Sequence, residues 1–390
     1  MDIERIQTAL SEHKLDGWLF FDHHRRDPLA YRILQIPDKA ESTRRWYYFV
    51  PAQGNPRKLV HCIESGALDT LPGLKDIYAS WTDQQNKLHA ILSGHRRIAM
   101  QYSPNCAIPY VSLVDGGTLE LVRQCGAEVV SSADLVQEFE ACWTQEQFDS
   151  HLQAGSLVDQ ARSKAFDLIG ERLRSNVRIN EYEVQQFILH QFSQHNLTTN
   201  HGPIVAVNAN ASDPHYEPAA DRNSEIRWND VVLIDLWAKQ NQPQAVYYDV
   251  TWTGFCGEAV PDEVQKVFGI VRDARKKACE FVFTRMTQAL QPTEGWEVDD
   301  IAREHIASHG YGDFFFHRTG HSIGTEVHGT GANMDNLESH DQRRIIANTC
   351  FSVEPGIYLP KFGIRSEVNV FVRQSSAQVT GAEQEELIHI

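Results

Sequence analysis

The sequence predicts an α+β protein made of two unequal domains. In the first part of the chain, short apolar strands alternate with helical stretches, which is typical of an α/β fold of modest size. After Thr144 a long polar segment with helical periodicity begins, and strand-rich stretches and further long helices follow it. We therefore expect a smaller α/β domain at residues 1–143 and a larger domain at residues 144–390.

In the first domain, each element is predicted from its own pattern. Helical periodicity covers Ile3–His13, and a shorter helix is predicted at Thr118–Cys125. No phosphate-binding loop and no dinucleotide-binding fingerprint occurs here. Apolar runs bounded by turn-forming residues predict strands at Trp18–Phe21, Trp46–Val50, Lys58–Ile63, Arg97–Gln101 and Glu128–Ser131.

The second domain is predicted to be a mixture of long helices and short strands. Helices are predicted at Gln145–Leu173, Glu181–His195, Val264–Leu290 and Val298–His309. Strands are predicted at Ile204–Val207, Val231–Leu236, Val246–Thr251, Cys350–Glu354 and Gly363–Val372, followed by a C-terminal strand. The sequence shows no internal repeat and no low-complexity segment.

Composition and charge argue against several classes of partner. The formal net charge of −16 over 390 residues repels nucleic acid and anionic membrane surfaces, and we expect neither as a partner. The N-terminal residues do not resemble a secretory signal, and no apolar run approaches the roughly 18 residues of a membrane span. The seven cysteines are scattered, odd in number and without a Cys-x-x-Cys pair, which indicates reduced thiols and a cytoplasmic location.

Four carboxylates stand inside or at the ends of apolar strand segments: Asp235, Asp249, Glu354 and Glu367. A single Asp at a strand end is more often a helix cap or a turn former than a ligand. Burying an unpaired carboxylate is unfavourable, so four of them in one domain require a common partner. A pair of cations is the partner that neutralises several carboxylates at once.

Histidines add a second signal. His317, His321 and His328 lie within twelve residues, and the glycines among them favour a strand or loop over a helical zinc motif. Any one of them alone would usually be a satisfied polar residue. His215 and Tyr216 lie in a loop rich in Asn, Asp and Pro, where a functional residue is plausible but not required.

With these carboxylates and histidines in this order along the sequence, the chain resembles the creatinase, prolidase and aminopeptidase P group of pita-bread metallopeptidases. The resemblance covers residues 145–390, and the preceding α/β domain is similar to the usual N-terminal domain of that family. It implies a C-terminal pita-bread fold and, as ligands of two metal ions, Asp235, Asp249, His321, Glu354 and Glu367. It also implies that the active-site histidines are His215, His317 and His328, and that Arg365 is the arginine preceding the last ligand.

The donor atoms of this implied site define its chemistry. Four carboxylates and one imidazole favour Mn²⁺, with Co²⁺, Fe²⁺ or Zn²⁺ as alternatives. Two such ions would share a water, lower its pKa and provide a bridging hydroxide to attack the scissile carbonyl. Glu354 is expected to carry the proton, and His215 and His328 to bind the substrate carbonyl or the oxyanion.

The remaining site residues are expected to act beside the metal ions or to bind the substrate. His317 is expected to position or polarise groups beside the metal ions. Arg365, Tyr216 and Tyr358 are the expected substrate-binding residues, with the two tyrosines as candidates for the wall of a pocket for the proline ring.

The chain departs from the family pattern in ways that bear on the substrate. Trp237 stands where the family usually has Gly two residues after the first Asp, and Trp252 stands where Arg is common. The two Asp ligands are 14 residues apart, so the hairpin at Lys239–Gln244 is longer than usual. Gly329 follows His328 where Glu is frequent. No departure removes an implied metal ligand.

The leading hypothesis is a metallopeptidase that hydrolyses Xaa-Pro bonds, as a dipeptidase or as an aminopeptidase, in small proline-containing peptides. One alternative is a relative acting on a small non-peptide C–N or C–S bond. Another is a non-catalytic pita-bread binding module, although such modules have usually lost ligands. By analogy with the family, we expect a homodimer.

Overall fold

The computed structural model describes residues 2–37, 42–289 and 292–390. The chain forms two compact units, Met1–Glu140 and Ala141–Ile390. Our prediction of domains at residues 1–143 and 144–390 puts the boundary slightly further along the chain. The identity of the two domains stays a prediction.

The N-terminal unit is built around a six-stranded mixed sheet. Its strands are β1 Gly17–Asp22, β2 Trp46–Pro51, β3 Arg57–His61, β4 Leu74–Tyr78, β5 Arg97–Met100 and β6 Glu128–Ser131. Its helices are α1 Ile3–Glu12, α2 Pro28–Ile33, α3 Trp81–Leu92, α4 Gly116–Gln124 and α5 Ala133–Val136. The strand order is β4-β3-β2-β1-β5-β6. Successive residues of β1 pack into two different apolar clusters, so both faces of the sheet are covered and β1 is apolar throughout.

Strand β4 is absent from the sequence prediction. Its sequence places Lys75 and Asp76 in the middle of the strand, and charged residues are depleted in strands. β4 lies at the edge of the sheet, where Leu74 and Ile77 are exposed and the apolar pattern is weak. The predicted strand Lys58–Ile63 was too long, because a 3₁₀ turn begins at Cys62.

The second unit contains four long helices: α6 Gln145–Arg174, α7 Glu181–Gln194, α8 Asp262–Thr284 and α9 Gly295–Ser308. A capping box at Thr144 starts α6, where the side chains of Thr144 and Gln147 bond each other's backbone N–H groups. A π-helical turn, Arg285–Ala289, follows α8. The predicted end of this helix, Leu290, lies outside the described residues.

The strands of the second unit form three sheets. They are β7 Leu197–Thr198, β8 Ile204–Val207, β9 Val231–Gln240, β10 Tyr248–Phe255, β11 Ser322–Ile323, β12 Cys350–Val353, β13 Gly356–Leu359, β14 Phe362–Arg365, β15 Val368–Arg373, β16 Ser376–Thr380 and β17 Ile388–His389. One sheet has the order β17-β10-β9-β7, with β8 also paired to β9. The second has the order β11-β12-β15-β16, and β13 and β14 form a separate hairpin.

The segment predicted as one strand at Gly363–Val372 is two strands. β14 pairs with β13, whereas β15 pairs with β12 and β16, and the chain changes sheets at Ser366 and Glu367. A continuous apolar run cannot reveal such a change of partner, because the pattern of burial is the same on both sides. Glu367 therefore stands at the joint between two sheets.

Candidate metal centre

The β9–β10 ladder places two carboxylates on one face. Asp235 lies opposite Thr251, and Asp249 lies opposite Trp237, in an antiparallel register. Side chains alternate between faces, and the even spacing of these residues puts Asp235 and Asp249 on the same face as diagonal neighbours. Both residues are buried.

Glu354 and Glu367 enter the same region from the other strands. Glu354 directly follows β12, and its backbone N–H donates to the Thr319 carbonyl at 2.7 Å. The backbone N–H of Glu367 donates to the carbonyl of Thr251 on β10 at 3.1 Å. These backbone bonds attach both carboxylates to neighbouring elements and bring them towards the face that carries Asp249.

The His321 imidazole faces these carboxylates. Its Nδ1 lies 3.1 Å from the Ser322 carbonyl, which fixes Nδ1 as the donor and leaves the Nε2 lone pair free. Nε2 lies 3.5 Å from Asp249 Oδ2 and 3.4 Å from Glu354 Oε1. The ring is therefore in the tautomer and orientation that a metal ligand requires.

The five implied ligands converge in one cluster. Potential donor atoms of Asp249, His321 and Glu367 all lie within 4.8 Å of one another. Asp235 and Glu354 complete the group through Arg365, whose Nη2 donates to Asp235 Oδ2 and whose Nε lies 4.0 Å from Glu354 Oε2. Their assignment as metal ligands stays a prediction.

The charges and the open hydrogen-bonding positions fit divalent cations. Asp249 Oδ1 and Glu367 Oε1 are buried and have no hydrogen-bond partner among the described residues. Burial raises the pKa of Asp235 to about 6 and that of Asp249 to about 7. Burial, followed by the other three carboxylates, raises the pKa of Glu367. Arg365 offsets only part of the negative charge of these carboxylates, and bound cations would supply the rest.

A second polar group lies beside Asp235. His317 Nδ1 lies 2.7 Å from the Arg318 carbonyl, and its Nε2 accepts from the Tyr358 hydroxyl at 2.7 Å. Arg365 Nη1 donates to the same hydroxyl at 3.2 Å. Burial, followed by the charge of Arg365, lowers the pKa of His317 to about 3, so this ring is neutral. The structure thus links His317, Tyr358 and Arg365 in one chain of hydrogen bonds.

His328 also reaches the cluster, and its side chain is exposed although its two chain neighbours are buried. Its ring meets the His321 ring edge-on, with centroids 4.4 Å apart. The neighbouring His321 is the largest cause of a lowered pKa at His328, and His215 acts in the same direction. His215 is exposed, and its backbone N–H donates to Asp213 Oδ1 at 3.0 Å.

Tyr216 is half-buried, and its hydroxyl bonds Glu181 rather than any carboxylate of the cluster. The hydroxyl donates to Glu181 Oε2 at 2.6 Å. Only the ring of Tyr216 is therefore left to contact a substrate, and its hydroxyl serves to hold the loop.

Sequence reasoning did not find the side chains that support the cluster. Thr251 Oγ1 donates to Glu367 Oε2 at 2.8 Å, Ser352 Oγ donates to Glu354 Oε1 at 3.0 Å, and Asn369 Oδ1 accepts from the Asp249 N–H at 3.1 Å. A signal existed for Thr251, which stands two residues after Asp249 on β10 and therefore on the same face. Ser352 and Asn369 also stand two residues from an implied ligand, Glu354 and Glu367, although each of these ligands lies just outside the strand.

Trp252 lies on the opposite face of β10 from Asp249 and Thr251. Its ring lies under the Arg162 guanidinium of α6, with Arg162 Cζ 3.6 Å from the ring centroid, and Arg162 Nη1 donates to Asp159 Oδ1 at 2.5 Å. The replacement of Arg by Trp at this position therefore does not reshape the carboxylate cluster. Trp237, in contrast, lies on the same face as the ligands.

The sequence profile of metallopeptidase family M24 matches residues 149–374, which is more than half of the chain. The protein therefore belongs to metallopeptidase family M24. It is 28% identical over 257 residues to an Xaa-Pro dipeptidase of Pyrococcus furiosus, covering 65% of this chain and 67% of that protein. It is 34% identical over 185 residues to an Xaa-Pro dipeptidase of Pyrococcus horikoshii, covering 47% of each chain. The matched region thus spans about half to two thirds of the length of these relatives.

Solved structures show the same fold. A dipeptidase from Pyrococcus horikoshii OT3 superposes with a TM-score of 0.64 at 23% identity, with 100% of both chains covered. Dipeptidase PepE from Mycobacterium ulcerans gives a TM-score of 0.69 at 21% identity, covering 100% of this chain and 96% of that one.

Three predictions are confirmed by these findings: the resemblance to the family, the α+β pita-bread fold, and the metallopeptidase class. Within the part of the chain that the structure describes, no helix has the length and hydropathy needed to cross a bilayer.

Proposed function

We propose that the protein hydrolyses the Xaa-Pro bond of dipeptides or of small peptides at their N-termini. The observation that carries this proposal is the convergence of Asp235, Asp249, His321, Glu354 and Glu367, with buried oxygens of Asp249 and Glu367 left unpartnered. The relatives named Xaa-Pro dipeptidase support the choice of bond.

The five side chains are proposed to hold two divalent ions, preferably Mn²⁺. Oxygen-rich ligand sets favour Mn²⁺ over a soft thiolate zinc site, and Co²⁺, Fe²⁺ and Zn²⁺ are the alternatives. Such ions supply a water nucleophile at neutral pH and polarise the scissile carbonyl.

Glu354 is the proposed proton carrier. Its Oε1 is fixed by Ser352 Oγ at 3.0 Å, and burial raises the pKa of its carboxyl group. A raised pKa brings a carboxylate closer to the operating pH, which favours proton transfer in both directions. Glu354 then accepts a proton from the attacking water and returns it to the proline nitrogen.

The histidines and Arg365 are proposed to bind the substrate. His328 and His215 donate to the substrate carbonyl as it becomes an oxyanion, since both side chains are exposed and the His328 ring meets that of His321. His317 stays neutral and holds Tyr358 through its hydroxyl, while Arg365 holds the same hydroxyl and Asp235. The Tyr358 ring, with Tyr216 as a second candidate, forms the wall for the proline ring.

A homodimer and a cytoplasmic location belong to the same proposal. They are supported by analogy with the family and by the scattered cysteines, which form no Cys-x-x-Cys pair. Light scattering of the purified protein tests the dimer directly.

Metal removal and a substrate panel test the function. Protein dialysed against a chelator should lose hydrolysis of Ala-Pro and of Ala-Pro-Ala, and Mn²⁺ or Co²⁺ should restore it. Full activity in excess chelator would contradict the proposal. Comparing the two substrates separates a dipeptidase from an aminopeptidase.

A variant pair links the activity to the cluster. Glu354→Gln should lower kcat by at least about 10²-fold, because the amide cannot carry the proton. Glu326→Gln removes an exposed carboxylate from the loop before His328 and should leave kcat unchanged. Turnover of small amidines or sulfonium compounds without Xaa-Pro hydrolysis would favour the non-peptide alternative, and purified protein without stoichiometric metal would favour a binding module.

A further inference from the structure

Trp237 stands directly beside the candidate metal centre. It pairs with Asp249 across the β9–β10 ladder and lies two residues beyond Asp235 on the same face of β9. Paired residues across an antiparallel ladder have neighbouring side chains. The indole is therefore adjacent to a proposed metal ligand, yet neither the proposed metal binding nor the proposed proton transfer uses it.

The Trp237 ring packs against two apolar clusters of the second unit. On one side it contacts an apolar cluster that includes Val327, the residue before His328. On the other side it contacts a small cluster against which Tyr216, the residue after His215, also packs. The position of the ring is therefore held by packing against both clusters.

Exposure distinguishes Trp237 from a core tryptophan. Trp18 of the N-terminal unit is 0% exposed, whereas Trp237 is only partly buried. Its Nε1 donates to Asn200 Oδ1 at 2.7 Å, in a solvent-exposed position. This hydrogen bond fixes the orientation of the ring, so the indole presents a rigid, partly open apolar surface beside Asp249.

The two ends of the candidate site differ in what they offer a substrate. At Asp235, the neighbouring groups are Arg365 and Tyr358, which are proposed to take the proline ring. Trp237 lies roughly 7 Å further along β9, given the rise of about 3.3 Å per residue, at the Asp249 end. A dipeptide with proline at the first end therefore places its other residue at Trp237.

From these contacts, we infer that Trp237 is a specificity-determining residue that limits the size of the residue preceding proline. The substrates that it favours are dipeptides with a small first residue, such as Gly-Pro and Ala-Pro. This inference rests on the proposed Xaa-Pro activity and deepens it. A rigid indole leaves less space for a large side chain, and apolar pockets discriminate by about 10–200-fold between side chains that differ by one methylene.

The experiment compares substrates that differ only in the first residue. The ratio of kcat/KM for Phe-Pro to kcat/KM for Ala-Pro is measured in the wild type and in Trp237→Ala, with metal content and melting temperature determined for each protein. The ratio should rise by about tenfold or more in Trp237→Ala, with unchanged metal content. Trp237→Phe, which keeps most of the packing, should raise the ratio by a smaller factor. This variant tests the inference if the alanine variant does not fold.

Trp252→Ala is the matched control. It removes an indole from the same hairpin, but from the face that packs on α6. It should lower the melting temperature and leave the substrate ratio unchanged. An unchanged or reduced ratio in both Trp237 variants would overturn the inference while leaving the proposed function intact. Failure of the wild type to cleave either dipeptide would overturn both.

Discussion

The Tyr216 hydroxyl donates to Glu181 Oε2 at 2.6 Å, which joins the loop of the candidate active site to the first turn of α7. Glu181 is fully buried and accepts three further bonds: from Val207 N at 2.7 Å, Asn210 Nδ2 at 2.8 Å and Ser224 N at 2.6 Å. One carboxylate therefore holds both ends of the segment that carries His215. All four of these bonds come from the segment itself, so we expect Glu181 to be a positioning residue.

Glu181→Gln should lower kcat/KM by about 10²-fold, because a misplacement of about 1 Å at a catalytic group has an effect of that size. The amide N–H₂ group would face two donors, and the loop would shift. Metal content should stay unchanged, since Glu181 contacts no implied ligand. Hydrogen exchange at the Val207 and Ser224 amides should become faster, which reports the loss of these bonds directly.

Asp22→Asn is a matched control for this variant. Asp22 is equally buried in the N-terminal unit and also accepts from a tyrosine hydroxyl, that of Tyr31 at 2.8 Å, and from backbone N–H groups such as that of Arg26 at 2.7 Å. Both variants should lose roughly 2 kcal/mol or more of stability. If Asp22→Asn lowers kcat/KM as much as Glu181→Gln, the positioning role is wrong.

Thr251→Val should weaken metal binding without unfolding the protein. The Thr251 hydroxyl donates to Glu367 and accepts from Arg365 Nε at 3.0 Å, so it orients two groups of the cluster. Loss of an orienting hydrogen bond of this kind typically weakens metal affinity by about 10–100-fold. Calorimetric titration of the metal-depleted protein with Mn²⁺ measures this change. Thr349→Val removes a partly buried hydroxyl that donates to the Ile346 carbonyl, away from the cluster, and should bind Mn²⁺ normally.

His328→Ala should reduce kcat by about 10²-fold, as expected for one lost oxyanion donor, while metal content changes little. Metal content should change little because the His328 ring lies edge-on against His321 but does not belong to the group of converging ligand residues. Steady-state kinetics and metal analysis of the same sample separate the two effects. His309→Ala removes an exposed histidine from the end of α9 and should not affect kcat. A normal kcat in His328→Ala would exclude the proposed role.

His151 should make stability depend on pH. It is fully buried in α6, between the Tyr247 carbonyl at 2.7 Å and Thr380 Oγ1 at 2.6 Å, and burial lowers its pKa to about 4. The unfolded chain, with a histidine pKa near 6.5, binds the proton first as pH falls. The contribution of neutral His151 to the free energy of unfolding is therefore complete above about pH 6.5. It falls by roughly 3 kcal/mol as the pH decreases towards 4.

Urea denaturation at pH 7.5 and at pH 5 measures this dependence. His151→Gln does not titrate, so its stability should fall less between the two pH values. The carboxylates of the candidate centre titrate in both proteins. The difference between wild type and variant in the change of unfolding free energy from pH 7.5 to pH 5 therefore isolates the contribution of His151. An equal change of unfolding free energy in both proteins would show that His151 is not protonated on unfolding.

Much of the architecture follows from local patterns. Apolar runs predicted β8 at Ile204–Val207 and β6 at Glu128–Ser131 with the bounds that the structure has. The edge strand β4 and the break between β14 and β15 were missed, because charged edge residues weaken the strand pattern and a change of sheet leaves no local trace. The ends of these strands are set by pairing with strands that are distant in sequence.

The sequence by itself determined the kinds of groups: four carboxylates in apolar strands, histidines in glycine-rich loops, and an order of residues that defines a family. Whether Asp235 and Asp249 share a face depends on the register in which β9 and β10 pair, since a slip by one residue would turn one of them to the other face. Only the tertiary structure decided which groups meet. Glu181, Thr251 and Trp237 lie far in sequence from the residues that they contact, and packing alone brings them together.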